Sequence, residues 1–571
     1  MRPNNMMLNR SKRGGKIELM KKLIFLILTV AMVGILIFTG CGGTKTTTPK
    51  TTPPVTTKTT TPKTTTPVTT TTPPKTTTTV PPTTTAGPLT GGTLRIIYNA
   101  GPAVLGGSVE QGPFDLFVLL GGVEKIMEYN EKQVLAPWLA ESVVQDDTAK
   151  TITIKLHPGI KCHDGSDFDA AAVVWNYQTQ VANKRIGYLD QWVSIEAIDK
   201  VTAVIHYTGG YNNQLIPAWI WSPPMWSKGA HDKFTTEDEF VTWARSNFSA
   251  TGPFKLSVFQ RDVKLVLTRF DGYWGPKPYL DEIDYIFIPD SSAASAMMQA
   301  GEADLWLGAP VNDQIHLVSL GLVKQAGLGA IPCIYPNTAA ADSKWKDSRL
   351  LNAVEYAIDK PAIAKALGQG QYTALKMLSP EGRAGYDASW AGHPYDVAKA
   401  KQLLADAGYP TGFHVKLTAL VGSEDTCTAL KQYLDAVGLI VDIDIADAGR
   451  YYGGLYGMGW DDLLLTGYGE GDMLGNFQNN LGDQPLTHMA AASYAIPPEL
   501  LALSIESRTK TDKASQDAIM VTITKWIGDH DFIIPLWLVP GSFIRQPWLH
   551  ITYLQEGGFS FYFGKYWMDK H

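Results

Sequence analysis

The chain has 571 residues, of which 44% are apolar and 18% charged, and it contains only 4 Cys. This apolar share is ample for a packed core, so a disordered scaffold is excluded for most of the chain, and the few cysteines exclude a disulfide framework. Residues 1–90 hold 12 of the 49 Lys and Arg and one of the 55 Asp and Glu, so residues 91–571 carry a net charge of −17. A body this acidic is a poor partner for nucleic acid, because such binding depends on neutralising phosphates.

The N-terminal region predicts an export signal. Residues 23–39 form an apolar run that follows Lys21 and Lys22 and ends before Gly40 and Cys41. A basic segment, an apolar segment and a small residue are typical of a secretory signal. Residues 38–41 (FTGC) resemble a bacterial lipobox, in which the cysteine is lipidated and becomes the new N-terminus. We therefore predict a lipoprotein signal over residues 1–40, with lipidation at Cys41 and with Met20 as an alternative start. An uncleaved anchor helix is the other interpretation, because a membrane span needs roughly 17–25 residues.

The next segment predicts a stalk. Residues 44–90 contain 26 Thr and 10 Pro in 47 positions, with five Lys and no acidic residue. Such a composition offers almost nothing to bury, so we expect residues 41–90 to be a lipidated cysteine followed by an extended spacer. The Thr and Pro content suits O-glycosylation, and an unmodified spacer is equally compatible with it.

The remaining chain alternates between predicted strands and helices. Alternation of apolar and polar residues predicts strands over 151–157, 201–207 and 264–268. Further elements follow in chain order: a helix over 291–300 with a Ser cap and a stop at Gly301, a strand over 303–307, helices over 348–367 and 395–407, a strand over 414–420, a helix over 424–437 and a strand over 439–445. This order predicts an α/β architecture with mainly parallel sheets.

Several motifs then occur in an order that resembles one known family. They are Gly91-Gly92-Thr93-Leu94-Arg95, residues 139–142 (LAES), 154–165 (IKLHPGIKCHDG), 168–175 (FDAAAVVW), 251–254 (TGPF), 273–280 (YWGPKPYL), 289–304 (PDSSAASAMMQAGEAD), 357–360 (AIDK) and 395–410 (YDVAKAKQLLADAGYP). Together they are similar to the family 5 extracellular solute-binding proteins, the peptide- and nickel-binding components of ABC importers. The resemblance covers residues 91 to about 570.

The resemblance implies a two-lobed periplasmic-binding-protein-like fold of type II, in the large variant of family 5, with a hinge between the lobes. We assign residues 91–311 to the first lobe, 312–535 to the second lobe and 536–571 to a return into the first lobe. The protein would be an extracytoplasmic, membrane-tethered monomer that binds a solute and delivers it to ABC permease subunits.

Relatives that bind peptides place an Asp three residues after an aromatic residue in the second lobe. The corresponding stretch here is Tyr468-Gly469-Glu470-Gly471-Asp472, in which the third position is Gly and acids lie on both sides of it. The resemblance therefore implies that Asp472 or Glu470 binds the amine of a ligand, or that the ligand lacks this amine. Aromatic side chains of a cleft would pack on the ligand. We expect Tyr468, Trp460, Trp221 and Trp219 in that role.

No motif predicts catalysis, a metal site or a cofactor. There is no HExxH, GxSxG or phosphate-binding loop, and Cys162, Cys333 and Cys427 are far apart in the chain. The interpretation is a binding protein for an oligopeptide or similar solute. A surface hydrolase for glycan or peptide and a stalked receptor without a permease remain alternatives. The resemblance covers peptides, nickel complexes and oligosaccharides alike, so the ligand class stays open.

The lipid anchor gives a first prediction. Substitution of Cys41→Ser removes the thiol to which lipid would be attached, so labelled fatty acid should be incorporated into the wild-type chain and not into the variant. Cys427→Ser, at a position far from the signal, is the matched control. A wild-type chain that incorporates no fatty acid would show that the apolar run stays as an uncleaved helix.

Overall fold

The structure, a computed structural model, describes residues 87–107, 110, 113–130, 134–327, 329–482, 493–551 and 562–569. For residues 113, 114, 221, 448, 456 and 457 it describes the backbone alone. The predicted signal, Cys41 and nearly all of the predicted stalk lie outside these residues. Among the residues described, no helix is both long and apolar enough to cross a bilayer.

A mixed sheet of seven strands forms one part of the molecule. Its central strand, Thr93–Tyr98, pairs in parallel with Glu282–Phe287 on one side and with Leu305–Leu307 on the other. The remaining pairings are antiparallel. In spatial order the strands are Val323–Ala326, Ser542–Arg545, Leu305–Leu307, Thr93–Tyr98, Glu282–Phe287, Lys264–Arg269 and Phe254–Gln260.

A second, antiparallel sheet of four strands has a core of its own. Its strands are, in spatial order, Ala140–Asp146, Thr151–Leu156, Thr202–Tyr207 and Trp192–Ala197. Helix Ala170–Ala182 packs on this sheet, and its first turn is capped by Asp169, whose side chain accepts the Ala172 N–H. We call the part that contains the seven- and four-stranded sheets the first lobe.

The third sheet has five strands and two hydrophobic clusters around it. Its strands are, in spatial order, Leu439–Ala446, Phe413–Leu420, Leu463–Gly469, Ala330–Pro336 and Ile534–Pro535. We call the part built on this sheet the second lobe. Short strand pairs complete the structure: Met127–Tyr129 with Leu135–Pro137, Thr373–Ala374 with Trp537–Leu538, and Leu549–His550 with Trp567–Met568.

The chain passes between the lobes twice, and the two crossings lie side by side. The Gly327 N–H donates to the Gly541 carbonyl over 2.9 Å, and Ala330 and Val539 exchange two backbone hydrogen bonds of 3.0 and 2.8 Å. Residues 323–326, which the sequence analysis assigns to the second lobe, pair in the seven-stranded sheet. The lobe boundaries at 311 and 535 stay a prediction.

The helices follow the predicted order. They are Pro113–Phe117, Ala170–Ala182, Lys228–His231, Glu237–Ala244, Ser291–Ala300, Val311–Ser319, Ser348–Ala357, Lys360–Gly368, Val397–Asp406, Glu424–Val437, Ala448–Gly453, Met473–Leu481, Pro498–Arg508 and Lys513–Asp529. Residues Ile216–Trp221 and Gly454–Met458 form π-helical turns, and Lys344–Lys346 and Phe563–Lys565 form 3₁₀ turns.

Three details of the sequence prediction are wrong. The sheets are mixed or antiparallel instead of mainly parallel, because many consecutive strands pair with each other directly, without a crossover helix between them. The cap of helix Ser291–Ala300 is Asp290, which lies one residue before the predicted Ser. The helix predicted over 348–367 is two helices. Pro361 has no N–H for the carbonyl four residues earlier, so the first helix ends at Ala357 and Asp359 caps the second.

Asp304 connects three segments of the first lobe. Its fully buried carboxylate accepts hydrogen bonds from the Arg95 Nε and Nη2 atoms at 2.9 and 2.8 Å, from the Arg95 N–H at 2.9 Å and from the Trp548 Nε1 atom at 3.0 Å. Arg95 lies on the central strand, and Trp548 belongs to the segment that returns after the second crossing. The carboxylate thus holds the returning chain against the central strand.

The substitution Asp304→Ala should destabilise the protein by about 2–4 kcal/mol, because it leaves Arg95 and the Trp548 indole without their acceptor. Chemical denaturation measures the loss. Asp271→Ala is the matched control, since the Asp271 side chain is 83% exposed and its pairing with Arg269 is worth little in water. Equal stabilities of the two variants would contradict this role of Asp304.

Candidate functional site

The two acids named by the sequence lie at the end of a central strand of the second lobe. Strand Leu463–Gly469 ends immediately before Glu470, and helix Met473–Leu481 begins immediately after Asp472. Ligands of α/β proteins commonly bind at loops that follow the ends of strands. The two carboxylates are nevertheless in different surroundings.

Glu470 is buried and already has partners. Its Oε1 atom accepts the Gly329 N–H over 2.8 Å, and the Arg383 Nη2 atom lies 3.4 Å from the same oxygen. Gly329 belongs to the first of the two crossings. Glu470 therefore binds the hinge segment and an arginine of its own lobe, which does not favour the predicted role as partner of a ligand amine.

Asp472 is open to solvent and forms no ion pair among the residues that the structure describes. Its Oδ1 atom accepts the Gly475 N–H over 3.0 Å and so caps helix Met473–Leu481. Desolvation by the surrounding protein raises the pKa of Asp472, although hydrogen bonds from the Gly475 and Leu474 amides and the charge of Lys513 oppose this. The side chain is solvent-accessible, and this accessibility is the property that a solute-binding carboxylate needs.

Tyr129 of the first lobe lies close enough to Asp472 for the two groups to interact electrostatically. Burial, followed by the charges of Asp472 and Glu128, raises the pKa of Tyr129 to about 12. Tyr129 ends strand Met127–Tyr129 of the first lobe, so the charge of Asp472 acts on a residue across the lobe boundary. The sequence analysis did not identify Tyr129 or Arg383, since no motif marks either residue.

The predicted aromatic residues have structural contacts. Trp219 is fully buried in the core of the four-stranded sheet, and its Nε1 atom donates to the Gly187 carbonyl over 2.8 Å. Trp460 is 8% exposed and donates to the Tyr335 carbonyl over 3.1 Å, whereas Tyr468 is 1% exposed and its hydroxyl donates to the Met473 carbonyl over 3.3 Å. In this conformation Trp219 and Tyr468 present almost no surface to a solute. Trp221 ends a π-helical turn, and its side chain lies outside the described part.

Two of the sequence motifs contain or contact structural carboxylates of the first lobe, the buried Glu124 and the partly buried Asp164. Glu124 accepts hydrogen bonds from the Tyr273 hydroxyl at 2.7 Å and from the Trp138 and Trp274 Nε1 atoms at 2.8 and 2.9 Å. Asp164 accepts from Ser166, Ser227 and Lys233 at 2.7, 3.0 and 2.9 Å. Burial alone would raise the pKa of Asp164, but these hydrogen bonds, led by that from Lys233, lower it to about 2. Both carboxylates are therefore parts of the scaffold.

The described residues give little evidence of a metal site or a reactive thiol. Within the described ranges no three His, Cys, Asp or Glu side chains are grouped as metal ligands would be. Cys162, Cys333 and Cys427 are buried thiols, and burial raises their pKa values, to about 11 for Cys162 and about 12 for Cys427. Such thiols are poor nucleophiles, because the reactive form is the thiolate.

Comparison with known proteins identifies the family. The family model for the middle part of bacterial extracellular solute-binding proteins of family 5 matches residues 134–479. The chain belongs to this family. It is 30% identical over 445 residues to the glutathione-binding protein GsiB of Escherichia coli strain K12, and the match covers 71% of this chain and 84% of the relative.

Solved structures share the fold of this family 5 protein. The periplasmic binding protein DppA of Helicobacter pylori, in complex with the peptide STSA, has a TM-score of 0.76 and 20% sequence identity, with 84% of this chain and 99% of that chain covered. The oligopeptide-binding protein AppA of Bacillus subtilis, in complex with a nonapeptide, has a TM-score of 0.74 and 19% identity, with coverages of 85% and 100%. The predicted two-lobed fold is confirmed. Proteins of this family are extracytoplasmic and bind solutes.

Gly329 provides a test of the contact between Glu470 and the hinge. A Cβ atom at this position would lie 2.7 Å from the Val539 carbonyl oxygen and 3.0 Å from the Glu470 Cδ atom. Gly329→Ala must therefore separate the two crossings or displace Glu470, and we expect a loss of about 1–3 kcal/mol in the free energy of unfolding.

Gly467→Ala is the matched control in denaturant unfolding, because a Cβ atom at Gly467 meets no atom within 4 Å. A Gly329→Ala variant as stable as Gly467→Ala would show that the crossings can separate without cost.

Proposed function

We propose that the protein is a membrane-tethered binding protein for a small peptide-like solute with a free amine, which it delivers to an ABC permease by closure of its lobes. The observation that carries the proposal is the accessible carboxylate of Asp472. This group faces the first lobe, while the neighbouring Glu470 already has a hydrogen-bonded amide and an arginine as partners.

The chemistry of a small peptide suits this arrangement. An ammonium group that leaves water needs a partner of opposite charge, because an unpaired buried cation is very costly. Asp472 supplies that charge from the second lobe, and its charge acts on Tyr129 of the first lobe. A solute held between them would contact both lobes, which favours the closed form over the open one.

Two further observations support a peptide-like ligand. The relative GsiB is named for glutathione, a tripeptide with a free amine, and it shares 30% of its residues with this chain over 445 positions. The structures of H. pylori DppA and B. subtilis AppA that share the fold contain peptides.

The signal pattern that ends at Cys41 supports the tether, and the Thr- and Pro-rich segment would place the lobes away from the membrane surface.

A calorimetric titration tests the role of Asp472. The probes are reduced glutathione and tetra-alanine, each with its N-acetylated form as the amine-free control. Asp472→Asn keeps the oxygen that caps helix Met473–Leu481 but removes the charge, so the affinity should fall roughly 30-fold to several thousand-fold, which corresponds to ~2–5 kcal/mol. Acetylation of the probe should produce a similar loss in the wild type.

Glu470→Gln is the matched acidic control and should change the affinity much less, because Glu470 does not face the solute in this proposal. Equal losses in the two variants, or equal binding of the free and acetylated probes, would contradict the assignment of Asp472.

The pH dependence of binding gives a separate prediction. Only the carboxylate form of Asp472 attracts an ammonium ion, and desolvation holds the pKa of this group above its ordinary value. The affinity for the probe should therefore fall as the pH decreases through this raised pKa, beginning at a higher pH than for a fully solvated Asp. Titrations between pH 7 and pH 3.5 measure the effect. The weak residual binding of Asp472→Asn should lack this acid-range change.

A further inference from the structure

A network of amide side chains connects the lobes at a place distinct from the loop of Asp472. The segment between helix Ala170–Ala182 and the π-helical turn Ile216–Trp221 belongs to the first lobe. Two of its residues, Tyr188 and Asn213, form hydrogen bonds with helices of the second lobe. Both hydrogen bonds join protein groups of the two lobes directly.

Asn213 binds the C-terminal end of helix Pro498–Arg508. Its Nδ2 atom donates to the Ser507 carbonyl over 3.0 Å and to the Lys510 carbonyl over 2.8 Å, and its backbone N–H donates to the Arg508 carbonyl over 2.9 Å. Carbonyl groups at the end of a helix have acceptor capacity that the helix itself does not use. The first lobe supplies donors for this end of the helix.

Other amides of the first lobe hold Asn213 in position. The Gln214 Nε2 atom donates to the Asn213 Oδ1 atom over 2.9 Å, so the side-chain oxygen is occupied and the Nδ2 atom is directed to the helix. Asn212 accepts the Gln214 N–H over 2.9 Å and donates to the Gln191 Oε1 atom over 2.9 Å. Hydrogen bonds within the first lobe thus hold the Asn213 amide in position.

Tyr188 forms the second part of the network. Its backbone is left-handed, with a φ of 55°, which is unfavourable for a non-glycine residue. The preceding carbonyl, that of Gly187, accepts the buried Trp219 Nε1–H, which helps to hold this conformation. The Tyr188 hydroxyl donates to the Gln478 Oε1 atom over 3.4 Å, and the Arg508 guanidinium carbon lies 5.6 Å from the centre of the Tyr188 ring.

The second lobe positions its side of the contact in the same way. The Gln478 side chain is fully buried, its Nε2 atom donates to the Ser504 carbonyl over 2.9 Å, and its Oε1 atom accepts the Ser504 hydroxyl over 3.0 Å. Helices Met473–Leu481 and Pro498–Arg508 are thereby connected. Asp472 caps the first of these helices, so the network and the candidate solute anchor are connected through one helix.

We infer that Tyr188 and Asn213 form a latch that stabilises the closed form independently of the solute and so sets the affinity from outside the binding loop. This inference rests on the proposed function, because a latch has a role only if the lobes open and close to bind a solute. A contact that favours closure adds to the affinity of any ligand that binds the closed form.

Hydrogen exchange of the full-length, ligand-free chain tests the latch without any ligand. The reporter is the Asn213 N–H, whose acceptor is in the other lobe, and it should exchange slowly in the wild type. Asn213→Ala removes the two side-chain hydrogen bonds to the second lobe and should increase exchange in residues 211–215 by about 10- to 30-fold. Tyr188→Phe removes one hydroxyl and should increase it by about 2- to 5-fold, with the reporter residue unchanged.

Asn183→Ala is the matched control, because the exposed Asn183 side chain donates to the Thr179 carbonyl of its own helix. It should leave exchange at residues 211–215 unchanged. In all three variants the core strands Thr151–Leu156 and Leu463–Gly469 should keep wild-type protection, which separates a latch from a residue that merely stabilises the fold.

Rapid exchange of the Asn213 N–H in the wild type would overturn the inference, and so would equal acceleration in the core strands of the Asn213→Ala variant. These outcomes do not depend on whether glutathione or tetra-alanine binds, so a failure of the latch and a failure of the proposed function are distinguishable.

Discussion

The structure depends on the pairing of its two crossings between lobes. Gly327 pairs with Gly541 and Ala330 with Val539 through backbone hydrogen bonds, so the two crossings of the chain follow one narrow line. Two adjacent extended segments permit rotation about that line but resist sliding, which is the condition for closure by a hinge. Glycine is required at position 329, because a Cβ atom there would lie too close to the second crossing. The carboxylate of Glu470 accepts a hydrogen bond from the Gly329 N–H group.

This constraint separates the roles of two acids that lie only two residues apart. Glu470 points to the hinge and to Arg383, and Asp472 lies beyond it on the side that faces Tyr129. Closure would thus bring the first lobe toward a carboxylate whose position is fixed by the helix that it caps. Further along the same helix, Gln478 accepts a hydrogen bond from Tyr188. Helix Met473–Leu481 and the loop before it would then connect the solute-binding carboxylate, the hinge contact of Glu470 and the latch.

Much of the fold could be predicted from local patterns. Helix Glu424–Val437, its stop at Gly438 and the following strand have the predicted bounds to within one residue, because amphipathic spacing and a left-handed glycine define them locally. The break at Asp359 was missed because the apolar spacing continues through it. The sequence predicts two strands of the four-stranded sheet, over 151–157 and 201–207, but no local pattern indicates that this sheet has a core of its own.

The candidate site was less predictable, because its decisive contacts join distant residues. Glu470 and Gly329 are 141 residues apart, and Tyr188 and Gln478 are 290 residues apart. Trp219 is expected in the cleft but lies in the core, because an indole that donates to a buried carbonyl cannot be distinguished from an exposed one in a sequence. The sequence makes the acids at 470 and 472 equal candidates for binding an amine. Only the structure shows that Glu470 already binds a hinge amide and an arginine.

The most direct test of the central claim, that Asp472 anchors the amine of a peptide-like solute, is mass spectrometry of the solute retained by the full-length chain during purification without denaturant. The account predicts a compound of the peptide class with a free amine, retained by the wild type and by Glu470→Gln and lost from Asp472→Asn. A retained oligosaccharide or nickel complex, or a peptide that the Asp472→Asn variant holds as well as the wild type does, would contradict it.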